Sequence, residues 1–215
     1  MGIEKEKKKA GKVANFWVQA VATAGVMALV ALLTPPEQTV GKNLGVILLH
    51  GAWVWAGLIF FGLAALAGLA GLLAAVFGKV STDLLARGSS ALAWTGMMFW
   101  LSYLPMSLWV MKVNWGGFFF DEPRWRIPFT FAVVGALLQA GLILVNRPVL
   151  TWLANLFFGA ALWFSLFASQ TVLHPESPVA QSDDLRIQAT YGLLLGLALL
   201  LGGQVAWALI RFKKT

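Results

Sequence analysis

Long apolar runs separated by short polar stretches make up most of the sequence. A helix needs about 20 predominantly apolar residues to cross the hydrocarbon core of a bilayer. Charged residues gather between the runs, so each run is a candidate span. The predicted spans cover residues 13–33, 44–77, 91–110, 127–145, 149–173 and 189–210. The pattern predicts an all-α integral membrane protein, a single membrane domain of residues 1–215 built as a bundle of about six transmembrane helices.

Composition agrees with a surface that faces lipid. Hydrophobic residues make up 59% of the 215 residues and charged residues 12%, against about 25% charged residues in soluble domains. The lysine-rich start followed by an apolar run also resembles a secretory signal peptide. That run is too long for a signal peptide and Thr34-Pro35-Pro36 is a poor cleavage site, so we expect an uncleaved first helix. Cysteine is absent, which excludes disulfides, thiolate metal sites and cysteine nucleophiles.

The placement of lysine and arginine predicts the orientation in the membrane, because cytoplasmic loops carry an excess of both. With the N-terminus inside, the inner side holds Lys5, Lys7, Lys8, Lys9, Lys12, Lys79, Arg87, Arg147, Arg211, Lys213 and Lys214. The outer side holds only Lys42, Lys112, Arg124, Arg126 and Arg186. Both termini are therefore predicted to be cytoplasmic, and the net charge of +7 needs no nucleic-acid partner to explain it.

Small and amide residues within the runs predict how the helices meet. Small residues let helices approach closely in lipid, and uncharged polar side chains hydrogen-bond between helices. The second run has Gly57, Gly62, Gly68 and Gly71, which predict a packing face. The amides predicted to bond between helices are Gln19, Gln139 and Gln204.

The two histidines of the sequence lie at the predicted outer ends of two different spans. His50 is near the start of the second span and His174 follows the fifth, 124 positions later, so the topology places both at similar depth. One such histidine would be explained as an interfacial side chain with its polar edge in water. Two at matching depth, each near aromatic residues, indicate a shared role.

The predicted outer loop of residues 112–126 combines aromatic, glycine and charged residues. An aromatic belt at the membrane surface accounts for its tryptophans and phenylalanines. It does not account for Gly116-Gly117 followed by three phenylalanines, two acids and two arginines. We interpret the loop as a flat platform at the membrane surface that can stack on a planar apolar ligand.

Two imidazoles beside an aromatic platform suit an iron porphyrin with two axial histidines. Imidazole is a good iron ligand, and the propionates of haem favour arginine or lysine near water. The cations available for the propionates are Lys112, Arg124 and Arg126. From chemistry alone, this is one of several interpretations that the residues allow.

The motifs around these residues resemble those of the CcmC-type haem-handling proteins of cytochrome c biogenesis. In that family a His-Val-Pro-x-x-Trp motif holds one ligand, and here His50 and Trp55 keep the spacing, with Gly51-Ala52 in place of Val-Pro. The second ligand follows a leucine, as His174 does here.

The family's loop motif, Trp-Gly-x-Trp-Trp-x-Trp-Asp-x-Arg, is matched in part. Trp115, Gly116 and Arg124 stand at the right separations, and Phe118 and Phe119 occupy two tryptophan positions. Asp121-Glu122 replaces Trp-Asp.

The resemblance implies a haem-delivery protein of the cell inner (plasma) membrane that is not an enzyme. It implies haem b as cargo, presented at the outer face to a membrane-tethered haem chaperone, beside ABC-type transporter subunits and a small single-span protein. His50 and His174 would be the axial iron ligands. The residues expected to contact haem are Trp55, Trp115, Gly116, Phe118, Phe119, Arg124 and Arg126.

Four other function classes can be weighed against the sequence. An electron-transfer cytochrome b would also use a histidine pair, but one pair at one edge gives no route across the bilayer. A transporter or channel usually has ionisable residues at mid-membrane, and none is predicted. An enzyme could use the adjacent Asp121 and Glu122, which we interpret instead as surface residues paired with arginines. A structural subunit that has lost haem handling would explain why Ser169 and Gln170 replace tryptophans expected before His174.

Overall fold

The computed structural model describes the backbone of residues 2–38, 40–78, 82–169, 179 and 182–212, and side chains within these ranges from residue 15 onward, except residues 82 and 212. This part of the chain forms six helices and no strand beyond one isolated bridge. The helices are α1 Gly2–Leu33, α2 Leu44–Phe77, α3 Thr82–Trp115, α4 Pro123–Val145, α5 Pro148–Ala168 and α6 Leu185–Phe212. The prediction of an all-α fold is confirmed for the described residues.

Proline, glycine and asparagine define several of the helix ends. α4 and α5 begin at Pro123 and Pro148, where the fixed φ of proline suits the first helical position and its missing N–H is not needed. α2 and α4 end at Gly78 and Asn146, both in the left-handed region, a common way to terminate a helix. Only two residues separate α4 from α5, so these helices are antiparallel neighbours.

The helices follow the predicted spans closely, but most are longer. α2 has the predicted bounds, whereas α1, α3, α4 and α6 continue through the polar residues that flank their apolar runs. α5 is shorter than predicted, because Ser169 has an extended backbone and its hydroxyl donates a hydrogen bond to the Leu166 carbonyl at 2.8 Å. Residues 170–173 of the predicted fifth span lie outside the described residues.

Five of the described helices are long and apolar enough to cross a membrane: α1 from Asn15, α2, α4, α5 and α6. α3 is not among them, although its 34 residues give about 50 Å of helix. α3 contacts α2, α4, α5 and α6, and its Phe99 and Trp100 are fully buried. The lower apolarity of α3 comes from polar residues within its apolar run, among them Thr95, Ser102 and Ser107.

The predicted glycine face of α2 is confirmed. A Cβ added to Gly68 would lie 2.6 Å from the Trp152 carbonyl oxygen, and one added to Gly71 would overlap the Trp152 indole. A Cβ added to Gly57 would lie 3.0 Å from the Trp100 ring of α3, and one added to Gly62 would make ordinary contact with the Trp163 ring of α5 at 3.4 Å. The absence of side chains at these positions lets α2 lie directly against its neighbours.

A buried chain of polar side chains connects four helices. The Gln139 amide of α4 donates to the Asn155 carbonyl oxygen of α5 at 2.8 Å, and the Asn155 amide donates to the Ser89 hydroxyl of α3 at 2.9 Å. Ser89 in turn donates to the Ala64 carbonyl of α2 at 2.9 Å. Each of the three side chains is at most 2% exposed, so these bonds form in an apolar environment.

The α1 helix is attached to α6 by a second amide. The Gln204 side chain donates to the Thr23 hydroxyl at 3.2 Å. The prediction of amide bonds between helices is thus confirmed for Gln139 and Gln204. It is wrong for Gln19, whose side chain is exposed and whose backbone carbonyl accepts the Thr23 hydroxyl.

The bundle has two ends with different charges. At one end, here called the His50 end, α1, α3 and α5 finish and α2, α4 and α6 begin. This end combines cations with acids, including Asp121, Glu122 and Asp184. The opposite end, called the Arg147 end, has cations at the start of α3, the start of α5 and the end of α6, namely Arg87, Arg147 and Arg211. Asp83 in the first turn of α3 is the one acid there among the described side chains.

Candidate functional site

His50 lies two turns into α2, on the side that faces α3. Its imidazole stacks on the Tyr103 ring, with ring centroids 5.1 Å apart and planes inclined by 30°. The residue is half-buried. The histidine therefore has a defined packing partner and is not a loose side chain at the membrane surface.

A small pocket adjoins this imidazole and collects several of the predicted site residues. Its volume is about 30 Å³, space for a water-sized molecule. It is lined by His50, Tyr103, Ser107, Val110, Met111, Trp115, Glu122 and Arg124. The structure thus brings together His50, Trp115 and Arg124, which the sequence places on α2, α3 and α4.

Glu122 belongs to this pocket and was not predicted to be buried. It is the N-cap residue of α4, with its carbonyl accepting the N–H groups of Trp125 and Arg126 at 2.9 Å each. The residue is 3% exposed, whereas Asp121 is exposed. The prediction that both acids are surface residues paired with arginines is therefore wrong for Glu122. The chain turns into α4 at this point and carries the Glu122 side chain inward.

The connection between α3 and α4 is shorter than the predicted loop of residues 112–126. α3 continues to Trp115, and α4 starts at Pro123, which leaves residues 116–122 outside the helices. Gly116 has φ +73°, a conformation that side chains disfavour, and its N–H bonds to the Lys112 carbonyl at 3.2 Å. Lys112 also donates from Nζ to the Gly116 carbonyl at 3.1 Å, which closes the turn.

Aromatic rings form a row from this connection onto α4. The Phe118 and Phe120 rings stack at 6.1 Å, Phe120 meets Trp125 at 5.9 Å, and Trp125 stacks on Phe129 at 6.0 Å. Trp125 is 6% exposed, but Phe118 and Phe120 are more than half exposed. Phe119 turns the other way and meets Trp115 edge-on at 5.9 Å. The row places the exposed apolar rings of Phe118 and Phe120 at the His50 end.

Trp55 does not join the pocket. It lies on another face of α2, where its ring meets Trp163 and Phe167 of α5 at 6.1 and 6.4 Å. Five residues along a helix correspond to a rotation of about 140°, so Trp55 and His50 point in different directions. This geometry therefore argues against a direct contact between Trp55 and a ligand held at His50.

Tyr103 is the main site residue that sequence reasoning missed. Its ring supports His50, and its hydroxyl donates to the Arg124 carbonyl at 3.1 Å. The sequence offers one indication of its role, which is that Tyr103 and Ser107 are four residues apart and so share one face of the third helix near its outer end. A tyrosine in an apolar run is usually explained as an interfacial residue, so this signal is weak.

His174, the second predicted iron ligand, lies outside the described residues. On either side of that segment, α5 ends at Ala168 and α6 begins at Leu185, both at the His50 end. At the start of α6, Arg186 donates to the Asp184 carboxylate at 2.7 Å, and this hydrogen bond holds the pKa of Asp184 below its usual range. This ion pair borders a larger cavity of about 350 Å³ at the same end, and the described part of its lining includes none of the predicted site residues.

No family model, no curated protein and no solved structure matches this chain. The resemblance to CcmC-type proteins therefore stays a prediction from the sequence motifs. Among the described residues there is also no group of three or more histidine, aspartate or glutamate side chains arranged to hold a metal ion.

Proposed function

We propose that this protein binds haem b at the outer face of the plasma membrane and presents it to a membrane-tethered haem chaperone during cytochrome c maturation. The observation that carries the proposal is the common location of His50, Trp115 and Arg124 around one pocket. His50 lies 65 positions before Trp115, and the three residues belong to two separate motifs of the family that the chain resembles.

The charge distribution supports the orientation that this proposal needs. Arg87, Arg147 and Arg211 lie at the Arg147 end, together with the lysine-rich start of α1, so that end is assigned to the cytoplasm. With α3 as the sixth span, both termini are cytoplasmic and the His50 end faces outward. Haem would then be presented on the side where c-type cytochromes mature.

Haem is much larger than the pocket, and this limits where it can bind. A space of about 30 Å³ does not admit a porphyrin, so we place the macrocycle against exposed rings outside the bundle. Phe118 and Phe120 offer apolar faces for it. The exposed guanidinium groups of Arg124 and Arg126 offer charge-assisted bonds to propionates.

His50 would supply one axial nitrogen to this haem, and His174 the other. The half-buried imidazole stands at the edge of the bundle, where one ring nitrogen could reach an iron held outside. A ligand bound on an exposed surface by few contacts can be transferred to another protein without opening the bundle. This is the behaviour expected of a carrier, and it requires no bond-making chemistry. ABC-type transporter subunits and a small single-span protein are the further partners that this role implies.

A structural subunit of a membrane complex is the second candidate, and the small pocket favours it. In a protein that had lost haem handling, side chains would occupy the space beside His50 that a ligand once used. The residues around the pocket of about 30 Å³ leave just such a small space. The two functions differ in one measurable property, which is whether the purified protein takes up haem.

The test is an absorption spectrum of the detergent-purified protein supplied with haem, oxidised and dithionite-reduced, beside His50→Ala and His174→Ala. We expect a low-spin Soret band in the wild type that is weakened or shifted in each single variant. Trp115→Ala should weaken the band, whereas Trp207→Ala should not, because Trp207 is an exposed tryptophan at the Arg147 end. A colourless wild type, or two histidine variants with wild-type spectra, would contradict haem binding and favour the structural subunit.

A further inference from the structure

Pro128 leaves one backbone carbonyl of α4 without its usual partner. In an α-helix the Arg124 carbonyl would accept the N–H of residue 128, and proline has none. The Tyr103 hydroxyl donates to this carbonyl at 3.1 Å. One turn earlier on α3, the Trp100 indole N–H donates to the Pro128 carbonyl at 3.0 Å. Two aromatic residues of α3 thus bind the first turns of α4 through backbone groups.

The same two residues form a column of rings that ends at His50. The Trp100 and Tyr103 rings stack at 5.6 Å with a 29° inclination, and Tyr103 stacks on His50 at 5.1 Å. Trp100 is completely buried, and Tyr103 is 4% exposed. The imidazole therefore lies against a ring that is packed on its other side and fixed by a hydrogen bond to α4.

We propose that Tyr103 is a positioning residue for His50. Its ring sets the orientation of the imidazole, and its hydroxyl couples that orientation to the start of α4, where Glu122 and Arg124 line the same pocket. This inference rests on the proposed function in one respect, which is that the imidazole oriented by Tyr103 is an iron ligand.

A purely structural role for Tyr103 makes different predictions. If the hydroxyl only satisfied the Arg124 carbonyl, any other donor to that carbonyl would replace it. Pro128→Ala supplies such a donor, because the backbone N–H of residue 128 can then complete the helix. In Tyr103→Phe/Pro128→Ala the carbonyl is satisfied again, but the connection from α4 to the Tyr103 ring is not restored.

The experiment measures the reactivity of the His50 imidazole in protein without haem. Diethyl pyrocarbonate acylates an accessible imidazole nitrogen, and peptide mass spectrometry assigns the product to His50, with His50→Gln confirming the assignment. We expect Tyr103→Leu to change the rate of His50 modification about two- to tenfold, as expected for losing one aromatic pair. Tyr103→Phe should have a smaller effect in the same direction, and Tyr103→Phe/Pro128→Ala should keep that effect while regaining thermal stability.

Spectra of the same variants with haem provide the second measurement. Tyr103→Leu should shift the Soret band or the reduction potential, while Trp207→Ala should shift neither. Equal rates of His50 modification in the wild type and Tyr103→Leu would overturn the positioning role. A return of both rate and stability to wild-type values in the double variant would overturn it as well. If the wild type takes up no haem, the proposed function fails, and the modification rates still decide the role of Tyr103.

Discussion

At the residue scale, close approach of helices depends on single glycines. Gly71 lies against the Trp152 indole, so Gly71→Ala must displace a buried ring. We expect a loss of about 1–3 kcal/mol in the free energy of unfolding, measured by reversible denaturation in detergent. Gly203→Ala is the matched control, because nothing lies within 4 Å of a Cβ at that position. It should be neutral or stabilising by up to about 1 kcal/mol, and an equal loss in both variants would contradict the packing argument.

Gly116 gives a second residue-scale prediction. Its φ of +73° ends α3 and starts the turn towards Phe118. Gly116→Ala should cost about 1–2 kcal/mol, the penalty for an L side chain in the left-handed region. Gly117→Ala should cost less, because φ is positive only at Gly116 in this pair and an added Cβ would make ordinary contact with Phe119 at 3.6 Å. Thermal melts of both variants, each with haem supplied and without it, test this difference.

At the element scale, the buried polar chain joins α4 and α5 to the centre of the bundle. A double-mutant cycle of Gln139→Leu and Asn155→Leu should give a coupling energy of about 0.6–2 kcal/mol, the range for hydrogen bonds between transmembrane helices. Gln19→Leu is the control, since the Gln19 side chain is exposed, and it should leave stability nearly unchanged. A coupling of zero would mean that each amide finds another partner when its neighbour is removed.

The start of α6 should respond to acid. Because the Arg186 hydrogen bond lowers the pKa of Asp184 in the folded state, ionised Asp184 stabilises the fold above its unfolded pKa of about 4. This contribution should disappear as the pH falls through the lowered pKa. The protection factors of amides in the first turn of α6, corrected for the pH dependence of intrinsic exchange, should therefore fall in acid for the wild type. Asp184→Asn should have lower protection factors at neutral pH that change little in acid, and identical profiles would contradict the assignment.

At the scale of the whole molecule, the two ends of the bundle are expected on opposite sides of the membrane. The natural sequence has no cysteine, so single cysteines can report their location. An impermeant maleimide on intact cells should label Lys112→Cys, at the His50 end, and should label Asn146→Cys only after permeabilisation. The reverse pattern would place the His50 end in the cytoplasm and exclude haem presentation outside.

Apolar length and glycine chemistry made much of this fold predictable. The bounds of α2, its glycine packing face and the bonding of Gln139 to another helix follow from local composition. The inward turn of Glu122 and the stacking of Tyr103 on His50 do not, because both depend on which helices become neighbours. Trp55 shows the same limit, since the motif spacing matched the family while the helix geometry directs the side chain towards α5. Sequence patterns locate residues at a depth in the membrane, and only packing decides which face they share.

The attachment of α1 has a consequence for how the protein is made. In the described part of the chain α1 contacts only α2 and α6, and its Thr23–Gln204 bond joins residues 181 positions apart. At ordinary translation rates, on the order of 10 to 40 s pass between the synthesis of these two residues. During that interval α1 is without α6, and among the described helices α2 is the neighbour that it can already contact. The bond between Thr23 and Gln204 forms only when α6 closes laterally onto α1.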